Sequence, residues 1–310
     1  MKILITGASG TLSAAAIPQL IRHGHAVIPT DISKRFPGIR RLDITDRENI
    51  MGLLNEARPD YVFHFAAETN VDLCEKNPVR AFSINAKGTE NIALACREYD
   101  TPLLYVSTGA VFSGDKPEPY AESDTPGPLN VYGKSKLEGE LVVQDILKKY
   151  LIIRAGWMIG GWDLDKKFVY KMICQLKEGK RELVAVNDKF GSPTFTKDFA
   201  SKLTKIIETK EYGIYHLVNR GTCSRFDMVL KIVEFMGMEK EVTVRPIDSD
   251  SFPMPAPRGR SEMLESTRIG LLGCGDMPHW EKALGEYIKL NKDRQEAHDK
   301  EGKYSYTGIQ

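Results

Sequence analysis

Tyr132 and Lys136 stand four residues apart in Val131-Tyr132-Gly133-Lys134-Ser135-Lys136, at the start of a segment with a helical pattern. That spacing puts both side chains on one face of a helix. A phenol beside an ammonium suits proton transfer. Free tyrosine has a pKa near ~10, so work near neutrality calls for a fall of ~2–3 units, or ~3–4 kcal/mol. One ammonium at ~4 Å supplies ~4 kcal/mol at an effective dielectric of ~20. The pair therefore predicts a Tyr132 depressed by Lys136. Tyr-x-x-x-Lys alone is common on surface helices, but Ser107-Thr108 closes a strand-like run upstream and offers a partner hydroxyl.

A second group could hold a phosphate. Gly7-Ala8-Ser9-Gly10 lies between an apolar run and a helical pattern. Glycine there lets the backbone turn sharply and approach a pyrophosphate, whose charge a helix N-terminus favours. A third glycine is expected at position 13, where Ser13 with three alanines behind it is a small substitute. Asp31 follows Gly10 by 21 residues. A carboxylate at that distance accepts hydrogen bonds from an adenosine ribose. It discourages a 2′-phosphate, whereas Lys34 and Arg35 just after it could pair with one. NADH and NADPH both stay open.

These groups need elements to carry them. Short apolar runs at Lys2–Thr6, Ala26–Thr30, Tyr61–Phe65, Leu103–Ser107 and Leu151–Arg154 lack polar alternation, as strands buried on both faces do. Helical patterns lie between them at Leu12–His23, Arg47–Ala57, Arg80–Glu98 and Val131–Lys149. Pro18 inside the first is a local conflict. The alternation predicts an α/β fold, a Rossmann-type doubly wound parallel sheet. Beyond Trp157 the rhythm changes. Phe168–Glu178, Lys197–Glu208 and Arg225–Met236 read as helices, and Leu183–Val186, Tyr215–Val218 and Val242–Pro246 as strands. Phe190–Thr194 reads as a loop, and the Pro-rich run Phe252–Pro257 as extended. The expected division is a dinucleotide-binding domain over 1–157, to which the chain returns around 182–212. A smaller mixed α/β substrate lobe takes 158–181 and 213–290, and 291–310 is a charged tail, a solvated helix or frayed end.

Composition narrows the class. The 310 residues carry 43 Lys and Arg against 42 Asp and Glu, a net charge of +1. A nucleic-acid partner bound through backbone charge is therefore not expected. The five cysteines are scattered without a C-x-x-C pair, which favours reduced thiols in a cytoplasmic protein. The N-terminus has no signal-peptide layout, and no apolar stretch approaches the ~18–20 residues that span a bilayer.

The chain resembles the extended short-chain dehydrogenase/reductase superfamily and, within it, the dTDP-4-dehydrorhamnose reductase family. The residues that carry this are Arg58-Pro59-Asp60, His64-Phe65-Ala66-Ala67, Val71-Asp72, Asn77-Pro78, Asn85, Ser107-Thr108, Val111-Phe112 and Pro128–Glu140. Arg154, Trp157, Asp188, Gly191, Pro193-Thr194 and the Phe252–Arg258 run continue the match. The resemblance implies a catalytic triad of Thr108, Tyr132 and Lys136, with Tyr132 protonating a C4 oxyanion as hydride arrives from NADPH or NADH. It adds Thr11, Leu12, Asp43, Ile44, Ala66 and Ala67 to the cofactor residues Gly7, Gly10, Asp31, Lys34, Arg35, Tyr132 and Lys136. It places Val71, Thr108, Trp157 and Arg258 against a nucleotide-sugar substrate, with Arg258 toward the diphosphate, and it allows a homodimer. His64 reads as a structural histidine.

The departures matter. The family usually has S-T-D-Y-V-F where this chain has Ser107-Thr108-Gly109-Ala110-Val111-Phe112. Losing both side chains predicts a roomier, less polar wall beside the reacting carbon. Some family members bind magnesium through a carboxylate on the first helix, and Leu12–His23 has no Asp or Glu, so no metal is expected. The implied activity is reduction of a nucleotide-linked 4-keto-6-deoxyhexose, with dTDP-4-dehydro-L-rhamnose as first candidate. A related 4-ketoreductase, a 4-epimerase and a non-catalytic subunit resembling the methionine adenosyltransferase β subunit are the rivals. A 4,6-dehydratase would need acids where Gly109-Ala110 stand.

Overall fold

A computed structural model describes the backbone of residues 1–161, 164 and 167–301, and side chains through residue 290. The chain opens with β1 (Lys2–Thr6), α1 (Thr11–Arg22), β2 (Ala26–Asp31), β3 (Arg40–Arg41), α2 (Arg47–Ala57) and β4 (Tyr61–His64). Next come α3 (Val71–Lys76), α4 (Pro78–Phe82), a π-helical turn at Ser83–Gly88, α5 (Thr89–Glu98) and β5 (Leu103–Thr108). A single turn at Gly109–Val111, then α6 (Val131–Ile146) and β6 (Tyr150–Ala155), complete the first half. The second half holds β7 (Trp157–Ile159), α7 (Phe168–Lys177), β8 (Glu182–Val186), β9 (Phe190–Gly191), β10 (Pro193–Phe195) and α8 (Thr196–Thr209). It ends with β11 (Gly213–His216), β12 (Cys223–Ser224), α9 (Arg225–Met236), β13 (Thr243–Ile247), β14 (Ser261–Glu262) and α10 (Trp280–Glu301).

Seven strands form one parallel sheet in the order β11-β6-β5-β4-β1-β2-β3. The order reverses between β1 and β4, and in such sheets ligands bind at the C-terminal strand ends beside that switch. The doubly wound arrangement follows from the strand residues themselves. Ile3 and Ile5 pack with Leu12, Leu20, Phe199 and Leu203 on one face. Leu4 packs with Ile50, Leu54, Ile92 and Val143 on the other. Both faces are covered, so the strands are apolar throughout, and truncating one such residue to Ala costs about 2–5 kcal/mol.

The smaller lobe has its own core of Val169, Ile173, Leu183, Phe195, Met228, Ile232, Trp280 and Leu284. Its strands pair in small groups: β13 with β8, β10 with β7, and β12-β9-β14.

The structure shifts several expected boundaries. Residues 182–186 do not return to the large sheet, because β8 pairs with β13 in the smaller lobe. The return runs through α8, which packs on α1, to β11, which pairs with β6. Residues 213–216 therefore belong to the large sheet. Phe190–Thr194 is not a plain loop, since β9 and β10 lie there. The helix expected over Arg80–Glu98 is three pieces, starting earlier at Pro78, with Asn77 accepting from the Arg80 amide at 3.1 Å. α6 ends at Ile146, short of Lys149. α1 continues through Pro18 without interruption. α10 carries the charged tail as helix to Glu301, and 302–310 lie outside the described residues. Among the described residues no helix is long and apolar enough to cross a membrane.

Candidate active site

The C-terminal strand ends and the smaller lobe enclose a cleft of about 1580 Å³. The glycine loop forms its floor. Gly7 sits at φ +74°, and a Cβ there would come 2.7 Å from the Ala66 nitrogen. Only glycine fits that close crossing of two chain segments. Gly10 donates its amide to the Gly7 carbonyl at 3.0 Å and precedes α1 as its N-cap. Ser13, at the position of the missing glycine, is fully buried and donates its hydroxyl to the same carbonyl at 2.8 Å. The residue read as a small substitute is also a tie that closes the loop.

Asp31 ends β2 with its carboxylate held by two amides, Ser9 at 3.0 Å and Ser33 at 2.8 Å. It lines the cleft with Arg35, Thr11, Leu12, Asp43, Ile44, Ala66 and Ala67, whereas Lys34 does not. Asp43 accepts from the Thr45 amide and hydroxyl, and those bonds hold its carboxyl below the usual range. Ile44 is pinned against Gly88, where a Cβ would lie 2.7 Å from its Cδ1. This explains the glycine that ends the π turn.

Thr108, Tyr132 and Lys136 line the same cleft. Thr108 is the last residue of β5 and accepts from the Ala110 amide at 3.2 Å, which starts the next turn. Asn130 caps α6, accepting from the Gly133 amide at 2.8 Å, so Tyr132 stands in the first turn. Burial pushes the Tyr132 phenol up to about 12, with the Thr108 hydroxyl pulling the other way. Lys136 is 2% exposed. Its ammonium donates to the Val106 carbonyl at 2.9 Å and lies 4.0 Å from the Tyr105 ring centroid. Burial lowers Lys136 to about 7, against the pull of Glu140. The expected depression of Tyr132 by Lys136 is therefore absent from this geometry: the ammonium is spent on Val106 and Tyr105.

His64 is a structural residue, as its sequence context suggested. Thr89 donates its hydroxyl to the Asn85 carbonyl, so it accepts from His64 Nε2 at 3.1 Å, and His64 Nδ1 accepts from Thr6 at 2.7 Å. Burial, then Lys136, lowers it to about 3. Asn85 Oδ1 accepts from the Glu68 amide, while its Nδ2 donates to the Glu68 carbonyl and the Ser135 hydroxyl. It binds the segment after β4 to α6.

Val71, Trp157 and Arg258 also line the cleft. Arg258 donates to Asp72 at 3.0 Å and to the Ala256 carbonyl at 2.8 Å. Trp157 donates its indole N–H to Glu262 at 2.7 Å. Arg225 lies 3.6 Å over the indole ring. Glu262 and Arg225 also line the cleft, and sequence reasoning missed both. A signal existed for one of them, since a cation in the first turn of a helix opposes the helix dipole. Ala110 lines the cleft, but Gly109 does not: it is backed by Leu264, whose side chain lies 3.2–3.3 Å from where a Cβ would be. The roomier wall expected from Gly109-Ala110 is half filled from behind.

The family model described as the RmlD substrate binding domain matches residues 1–292. The chain is 36% identical over 289 residues to the dTDP-4-dehydrorhamnose reductase of Mycolicibacterium smegmatis, covering 93% of this chain and 85% of that protein. A crystal structure of a dTDP-4-dehydrorhamnose reductase from Clostridium acetobutylicum is similar with a TM-score of 0.86 at 38% identity, over 94% of this chain and 100% of that one. Another, from Bacillus anthracis in complex with NADP, gives 0.87 at 35% identity, over 93% and 99%. With a match that begins at β1 and runs past the last small-lobe strand into α10, this chain belongs to the RmlD substrate binding domain family.

Proposed function

We propose that this chain is an NADPH-dependent oxidoreductase that reduces the 4-keto group of a nucleotide-linked 4-keto-6-deoxyhexose. Its best-supported substrate is dTDP-4-dehydro-L-rhamnose, giving dTDP-L-rhamnose, the reaction class named for its relatives in M. smegmatis and C. acetobutylicum. The observation that carries this reading is one cleft lined by both the Gly7–Gly10 loop and Thr108, Tyr132 and Lys136. The cradle at Gly7, where a Cβ would strike Ala66, fits a dinucleotide pyrophosphate lying close to bare backbone. Held there by the Gly7–Gly10 loop, a nicotinamide cofactor would supply the hydride that C4 receives. Thr108 holds the ketone oxygen, and Tyr132 donates its phenolic proton to that oxygen, so C=O becomes CH–OH. A phenol raised toward 12 is fully protonated at neutral pH, which is the state reduction needs. Lys136, whose ammonium stands at the wall beside Tyr105, would hold the cofactor ribose. Arg35 beside Asp31 supports NADPH, as does the NADP complex of the B. anthracis relative, and Asp31 keeps NADH usable.

Gly109-Ala110 carry no acid, which weighs against a dehydratase. A reducing, cytoplasmic setting is part of the proposal, supported by five free thiols. The test is NADPH oxidation by purified protein with several nucleotide-linked 4-keto-6-deoxy sugars, set beside a pull-down for a partner enzyme. Turnover with the rhamnose precursor is expected. Oxidation at background with every sugar, together with capture of a partner enzyme, would favour the regulatory-subunit alternative.

A further inference from the structure

Arg225 is the first residue of α9, and its backbone is locked. Ser224 Oγ accepts from the Asp227 amide at 3.0 Å, and Asp227 accepts from the Ser224 amide at 2.8 Å. Its side chain reaches into the cleft over two rings, 3.6 Å from the Trp157 centroid and 4.9 Å from that of Phe168. Trp157 cannot yield, because a Cβ at Gly191 would run into its ring, and Glu262 holds its N–H. With Gly191 behind the indole and Arg225 over it, the face of Trp157 is covered by a guanidinium.

That guanidinium has no hydrogen-bond or ion-pair partner among the described residues. Burial lowers Arg225 to about 10 even though Glu262 favours its charge. Arg225 is half-buried, and a partly desolvated cation without an acceptor gains when something supplies one. Arg258 is different: Asp72 and the Ala256 carbonyl already occupy it. Arg225 and Arg258 both line the cleft and repel each other, so an anion between them would relieve both.

We propose that Arg225 is the principal anion-binding residue of the substrate lobe, taking the diphosphate oxygens of the sugar nucleotide. The assignment rests on the sugar-nucleotide reading above and moves the diphosphate anchor from Arg258 to Arg225. A guanidinium lying over aromatic rings keeps N–H groups free to pair with phosphate oxygens, which it binds bidentately. The charges in the cleft agree. Glu262 lines the same cleft, accepts the Trp157 indole N–H, and its charge is felt at both Tyr132 and Arg225. A hexose with its C4 oxygen at Tyr132 would pass its hydroxyls by Glu262 and carry its anomeric phosphate to Arg225.

The test is calorimetric binding of dTDP, thymidine and NADPH to the full chain and to Arg225→Met and Arg225→Lys. Losing charge-assisted bonds to a phosphate should weaken dTDP by about ten- to a hundredfold in Arg225→Met. Arg225→Lys should fall between, keeping charge without the fork. Thymidine and NADPH should stay within about twofold, which also shows that the variants fold. If Arg225→Met does not fold, pyrophosphate competition with dTDP in the wild type decides: absence of competition overturns the proposal. An unchanged dTDP affinity overturns it, as does an equal loss for thymidine. A wild type that binds dTDP through Arg225 yet oxidises no NADPH overturns the reductase reading and leaves this assignment standing.

Discussion

The ammonium of Lys136 is bonded to the carbonyl oxygen of Val106, 2.9 Å away, from the second turn of α6. The charge sits in the wall of the cleft, and its burial has a thermodynamic signature. The folded pKa of about 7 lies below the ordinary 10.5. Between those values the unfolded chain binds more protons than the folded one, so stability rises with pH. Below about 7 both states are protonated and the burden is fully present.

Lys136→Met should therefore be more stable than wild type near pH ~6, by up to about 2–3 kcal/mol more than at pH ~9. Urea unfolding at the two pH values measures it. A variant destabilised equally at both would show that the ammonium carries no such burden. The same variant should lose turnover and bind NADPH more weakly, and an unchanged cofactor affinity would count against its contact with the ribose.

Tyr132→Phe should reduce kcat by about 10²–10⁴ while NADPH affinity changes little, because the phenol is assigned proton transfer alone. Substantial retained turnover in the purified variant would remove Tyr132 from the proton path.

Cofactor choice should divide between neighbours. Arg35→Ala is expected to weaken NADPH about tenfold and NADH little, the size of one charge-assisted bond. Lys34→Ala, outside the cleft wall, should change neither. Asp31→Ala should weaken NADH more than NADPH, with some loss for both, since Asp31 also holds the Ser9 amide. Titration of the two cofactors against the three variants checks this, and equal losses for Asp31→Ala would show that Asp31 does not read the ribose.

Behind the active site, Arg154 donates to Glu140 at 2.7 Å, and the two side chains are 2% and 0% exposed. Removing one partner leaves a buried charge, so Arg154→Met should cost about 3–5 kcal/mol in urea unfolding. The double variant Glu140→Leu/Arg154→Met should recover much of that loss. Failure to recover would locate the cost in packing, for example on Phe112 below the guanidinium.

What the sequence made legible tracks how local the determinants are. β1, α2 and α9 have the expected bounds because strand apolarity, the Asp46 cap and the Ser224–Asp227 capping box are all local signals. The sequence shows β9 and β10 only as a loop because their partners lie far along the chain: Ser224 and Ser261 for Phe190, Trp157 for Pro193. Two- and three-residue strands have no period to detect. The glycine loop and the Tyr132–Lys136 spacing are compact motifs, and the elements they predicted, a turn before α1 and the start of α6, are where the sequence puts them. Arg225 and Glu262 meet only across Trp157, through three separate segments, and the orientation of Lys136 toward Val106 depends on β5 behind it. Neither relationship exists at the level of spacing.

The pairing of β11 with β6 bears on how the protein is made. Residues 150–155, Tyr-Leu-Ile-Ile-Arg-Ala, lose one neighbour if the chain stops before residue 216. During synthesis from the N-terminus, β6 waits as an open, apolar edge until about sixty further residues have emerged, and such edges template self-association. A fragment ending near Trp157 should therefore accumulate as aggregates, whereas the full chain, with both β11 and the second-lobe core of Met228, Ile232 and Leu284, should be recovered in the soluble fraction. Only the first part of the second lobe, from β7 to β10, is threaded between β6 and β11, and it must be synthesised before the large sheet gains its last strand. Translation speed across that stretch thus becomes a determinant of yield.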